Sequence, residues 1–116
     1  MLNRTAIILK YKAPAIQWIN ETDPYNDDPG IDAESVNDER TVYLISDEDG
    51  DSPDTIKCWI DLNWRELFEQ ELEGWYTDPS LWPKNLSLKL FREWFTVEYH
   101  TCLVDTVGTE FYDDDI

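Results

Sequence analysis

Three groupings of side chains in this chain have the types and spacing to do chemistry. Asp47, Glu48, Asp49 and Asp51 crowd four carboxylates around Gly50. Oxygen ligands on a glycine-containing loop suit Ca²⁺ or Mg²⁺, here through Asp47, Asp49 and Asp51. The EF-hand template fails on counting: Gly50 at the sixth position puts Ile45 at the first and Ile56 at the twelfth, where acids are required. The competing reading is a solvated strand-to-helix turn whose negative charge favours the N-terminus of the helix behind it.

The second grouping is Glu98, His100 and Cys102, which alternate along a β-like run and so share one face of a strand. A Cys–His pair supports thiol nucleophilic chemistry. Glu98, His100 and Tyr99 around a pocket between sheet and helices would make a small enzyme or ligand-binding site. No nucleophile elbow, phosphate-binding loop or paired zinc-ligand motif accompanies them. The single His and two Cys, with 43 residues between Cys58 and Cys102, lack metal-ligand spacing, so no soft-metal site and no cofactor is expected. The two cysteines read instead as small buried hydrophobes in a reduced protein.

The third grouping is aromatic. Trp75, Tyr76 and Trp82, stiffened by Pro79 and Pro83, would form either a platform for a partner's side chain or peptide or a lid folded back on the end of the long helix. A further candidate surface for a cationic partner is the acidic stretch Asp23 to Asp38, which includes Asp27 and Asp28.

Charge governs what such surfaces can meet. The 116 residues carry 26 acids against nine bases, a formal charge of −17. Residues 21–54 hold thirteen acids and one base, Arg40, and residues 96–116 hold six acids and no base. Nucleic acid and anionic membranes are repelled by that field, whereas a basic protein or a cation is attracted. With 41% hydrophobic and 14% aromatic residues the chain still has material for one tryptophan-rich core, so a single domain over 1–116 is expected. The first apolar run, Ala6 to Leu9, is too short for a signal peptide or a membrane span, which points to a cytoplasmic location.

The elements that must position these groups follow from pattern. Thr5 to Lys12 alternates as a strand, with Ile7, Leu9 and Tyr11 on one face, and Pro14 ends it. Ala15 to Asn20 gives no more than a helical turn. The prolines of 21–31 mark an acidic loop, and Asp32 caps a short helix, Ala33 to Asp38. Thr41 to Ser46 is a second strand.

Ser52, Pro53 and Asp54 then open a long amphipathic helix with apolar residues from Ile56 to Trp75, stopped by Gly74 in a left-handed C-cap. Asn63 and Glu66 also match a capping box, so one helix and two both fit this stretch. Asn85 or Ser87 begins a last helix, and Thr96 to Val107 returns to strand. The tail from residue 111 to 116 is expected to fray. The order predicts an α+β fold, a small, mostly antiparallel three-stranded sheet with helices on one face. Strand order and oligomeric state stay open.

At Trp18-Ile-Asn20, Thr41 to Ser46, Glu73 to Asp78, Leu81-Trp-Pro83 and Leu90 to Phe95, the chain resembles a family of small acidic bacterial proteins of uncharacterised function. The resemblance spans most of the chain and implies a compact, stand-alone cytoplasmic protein. It brings no catalytic residue and no ligand. The functional expectation is therefore a non-enzymatic interaction or regulatory module that binds a basic partner, with neither nucleic acid nor membrane as a target. A ligand-binding or catalytic pocket near Glu98 and His100, and a divalent-cation site at Asp47, Asp49 and Asp51, are the alternatives.

Overall fold

Strand β1 (Arg4–Tyr11) occupies the middle of the sheet because it alone alternates over eight residues and buries side chains along nearly its whole length. In the computed structural model, which describes residues 1–22, 32–38 and 40–109, β2 (Val42–Ser46) and β3 (Phe95–His100) flank it, both antiparallel, in the order β2-β1-β3. Ile7 lies opposite Tyr43 on one side and Tyr99 on the other, which fixes the register. Ile7, Leu9, Tyr11, Ile45 and Phe95 face the helices and are buried. On the opposite face Val42 and Leu44 stay half exposed, at 52% and 50%.

Helix α1 (Ala13–Thr22) is longer than the single turn the sequence indicates. Pro14 ends the strand as expected but also starts this helix, since proline suits a first turn that has no N–H partner to lose. Ala15 and Ile19, one turn apart, are the residues it buries. Helix α2 (Ala33–Asp38) starts at the expected cap, where the Asp32 carboxylate accepts from the Ser35 N–H at 2.8 Å. That bond, reinforced by the Ser35 hydroxyl, holds the Asp32 carboxyl below its ordinary value. The acidic loop from residue 23 to 31, with Asp27 and Asp28, and the tail from residue 110 onward lie outside the described residues.

Helix α3 (Pro53–Trp75) is continuous over 23 residues. Ser52 and Thr55 form a reciprocal capping box at its start. The second box is not used as one: the Asn63 amide donates instead to the Trp59 carbonyl one turn back, so the helix passes Leu62 unbroken. The expected left-handed stop at Gly74 is also corrected. Gly74 is helical, and the end is closed by the Tyr76 N–H donating to the Leu72 carbonyl with Tyr76 extended.

A 3₁₀ turn (Pro79–Leu81) and α4 (Leu88–Trp94), capped by Ser87, follow, and α4 runs directly into β3. Strand β3 is shorter than its sequence pattern, because His100 is the last of its residues paired with β1. At the heart of the core are phenylalanines rather than tryptophans: Phe68 meets Phe91 and Phe95 edge-on at 5.8 and 5.5 Å. Trp94 is buried, while Trp18, Trp59, Trp64, Trp75 and Trp82 pack around the rim. No helix among the described residues is long and apolar enough to cross a membrane.

Candidate functional site: an acidic corner and an apolar groove

The corner joining β2 to α3 carries Asp47, Glu48, Asp49, Asp51 and Asp54, all exposed and none in an ion pair among the described residues. Its backbone is held tightly. Gly50 is buried against Thr5, and a Cβ at this position would lie 2.0 Å from the Thr5 hydroxyl oxygen, so no side chain fits without displacing the strand. The Gly50 N–H donates to the Ser46 carbonyl at 3.0 Å. The Ser46 hydroxyl bridges to Asp49, donating to its carboxylate and accepting its N–H at 3.0 and 3.1 Å. Asp54 sits in the first turn of α3, where negative charge meets the positive end of the helix dipole.

Asp47, Asp49 and Asp51 are thus neighbours on one rigid turn, yet they do not form a cation cage. Among the described residues no three carboxylate, thiol or imidazole groups converge on one point. The Glu98 and His100 pair does form, His100 Nε2 lying 3.2 Å from Glu98 Oε2, with Arg40 3.6 Å from the same oxygen. The His100 hydrogen bond, and then the Arg40 charge, hold the Glu98 carboxyl below its ordinary value. Both residues point to the sheet face away from the helices, whereas Tyr99 points toward them. Strand alternation therefore separates the three groups expected to share a pocket. Cys102 and Cys58 are both exposed, which corrects their reading as buried hydrophobes. Cys58 lies on the solvent side of α3, and Cys102 follows the end of β3.

The aromatic loop folds back on the domain. Trp75 Nε1 donates to the Tyr11 hydroxyl at 2.9 Å, the Tyr76 hydroxyl to the Ile19 carbonyl at 2.6 Å, and Trp82 Nε1 to the Tyr76 carbonyl at 2.8 Å. Trp18 completes the joint, edge-on to Tyr76 at 5.2 Å. The polar edges that a platform would offer to a partner are committed within the chain.

Beside Trp75 the hydroxyls of Tyr11 and Tyr43 both donate to the Glu71 carboxylate, Tyr11 at 2.8 Å. Burial first, then Glu71, push both phenols well above their ordinary value. Tyr11 and Glu71 also line an adjoining cleft of about 180 Å³.

Sequence reasoning missed a second feature. Between α3 and β3 runs a groove of about 300 Å³ floored by Ile56, Ile60, Phe91 and Val97, with Tyr99 at one end and Lys57 and Arg92 on its rim. Lys57 lies 3.7 Å from Asp61, and Arg92 pairs with the same carboxylate. Lys57 and Arg92 also line a separate neighbouring hollow that bears Lys12 and Lys89 as well. The signal in the sequence was the evenness of residues 55–95, where five of the nine bases offset seven acids. No protein-family model, curated protein or solved structure matches this chain.

Proposed function

We propose that this chain is a non-enzymatic interaction module that holds a basic protein against the corner between β2 and α3, in a reducing cytoplasm. The observation that carries the reading is a turn with five exposed, unpaired acids whose backbone is locked by Gly50 on Thr5. A charged patch that is already ordered loses little entropy on binding, and complementary charge speeds encounter and selects partners. Two exposed free thiols suit a compartment that keeps cysteine reduced.

The test is recovery of bound proteins from native-cell extract at low salt by the wild type and by Asp47→Asn/Glu48→Gln/Asp51→Asn, a variant that spares the Asp49–Ser46 bond. The expected partner is basic, is lost with the triple variant, and dissociates as ionic strength rises toward 0.5 M, where the Debye length shrinks to roughly 4 Å. Gly50→Ala keeps every charge but forces the turn off Thr5, and it too should weaken capture. A partner held equally by all three proteins, or indifferent to salt, removes the corner from consideration.

A further inference from the structure

The groove differs from the acidic corner in both chemistry and sign, and it adjoins an open strand edge. Lys12 N–H donates to the Trp94 carbonyl at 2.8 Å, just beyond the Tyr11–Phe95 pair. In an antiparallel ladder, hydrogen-bonded and non-bonded pairs alternate. Thr96, Glu98 and His100 therefore turn their backbone groups toward β1, while Val97 and Tyr99 turn theirs to the outer edge. No described residue bonds to those edge groups. The side chains of Val97 and Tyr99 also line the groove, and Tyr99 remains 41% exposed. Backbone donors and acceptors thus lie alongside an apolar trough that would take alternate side chains of an added strand.

Charge and direction specify the occupant. Lys12, Lys57, Lys89 and Arg92 outnumber Asp61 and Glu93 around the hollow, a local excess of two positive charges in a molecule of formal charge −17. A polyacidic ligand would be rejected by the molecule as a whole, but one carboxylate on an apolar chain suits this spot. Because α4 runs straight into β3, the strand starts at the Arg92 end and runs toward Tyr99 and Pro53. A strand added antiparallel to it begins at Tyr99 and ends at Arg92 and Lys57.

We propose that this groove captures the free C-terminus of an extended partner peptide, which adds to β3 as an antiparallel fourth strand with its carboxylate beside Lys57 and Arg92, whose shared Asp61 leaves one of their two positive charges unmatched. Side chains opposite Val97 and Tyr99 enter the trough, and those between them face solvent.

Two fluorescein-labelled heptapeptides of alternating threonine and valine, one ending in a free acid and one in an amide, test this by fluorescence polarisation and amide chemical-shift mapping. The free acid should bind saturably, shift the Val97 and Tyr99 amides, and bind at least tenfold more tightly than the amide. Lys57→Gln/Arg92→Gln should bring the acid down to the amide's affinity with an unchanged circular dichroism spectrum. Should that variant not fold, the acid–amide comparison on the wild type decides alone. Equal binding of acid and amide, no saturation by either, or shifts confined to Val42 and Leu44 on the β2 edge would overturn the proposal. So would decanoate shifting Val97 and Tyr99 where the peptides do not, since the site would then belong to a small amphipathic acid. Loss of the corner interaction in the triple acidic variant leaves these outcomes untouched, so the two sites are separable.

Discussion

Glu71 is the residue on which two tyrosines depend. It accepts from Tyr11 and Tyr43, and Tyr11 in turn accepts from Trp75, so three elements meet at one carboxylate. The folded chain holds the two phenolic protons more tightly than the unfolded chain does, through burial and the Glu71 charge. The stabilisation this gives is complete below the unfolded tyrosine value of about 10 and drains away as pH climbs past it. Urea midpoints should therefore fall between about pH 9 and pH 11. Tyr11→Phe/Tyr43→Phe should be less stable at neutral pH, by about 1 kcal/mol for each hydrogen bond lost, and its midpoint should decline less over that alkaline range. Lysine deprotonation adds self-repulsion in both proteins, so the difference between them isolates the tyrosines. Parallel curves for wild type and variant would show that the phenols titrate freely.

Helix α3 shows what pattern can and cannot carry at the level of an element. Its start was legible, because Ser52, Pro53 and Asp54 each do one identifiable thing at a helix N-terminus. Its end was not. Gly74 has the residue type of a C-cap, but termination depends on where the Tyr76 N–H finds an acceptor, and that is fixed by the tertiary joint of Tyr76 with Ile19. A glycine left inside a helix weakens it, and a Cβ at Gly74 would meet nothing within 4 Å. Gly74→Ala should therefore raise stability by about 0.5–1 kcal/mol, read as a higher urea midpoint at constant slope. A left-handed cap would give the opposite sign, so a destabilised variant would restore the glycine-stop reading. The same limit explains α1, whose two buried residues are too few to mark a helix until α4 and the aromatic loop are in place. It also explains the groove. Lys57, Arg92 and Val97 are scattered over forty positions and become neighbours only when α3 packs beside β3, whereas the acidic corner is contiguous in the chain and could be read directly.

For the whole molecule the decisive quantity is the balance between attraction and repulsion among charges. Ion pairs engage only Asp61, Glu69 and Glu98 among the described acids, and all of these pairs lie at the surface. Exposed pairs of this kind contribute about 0–1 kcal/mol each. Against them stands a formal charge of −17 spread over a body 44 Å long. At 0.01 M salt the screening length of about 30 Å spans most of that body, and at 0.15 M it falls to about 8 Å. Adding salt therefore removes more repulsion than attraction, and the melting temperature should rise over this range by several degrees, roughly 4 °C for each 1 kcal/mol gained. Sodium chloride is the salt to use, because sulfate would stabilise by surface exclusion whatever the charge. The Asp47→Asn/Glu48→Gln/Asp51→Asn variant, relieved of three of these charges, should melt higher at 0.01 M and rise less with salt. A melting temperature that is flat or falls with chloride would mean that attractions dominate this surface. A cationic partner at the corner relieves the same repulsion, so salt should stabilise the free chain while it dissolves the complex.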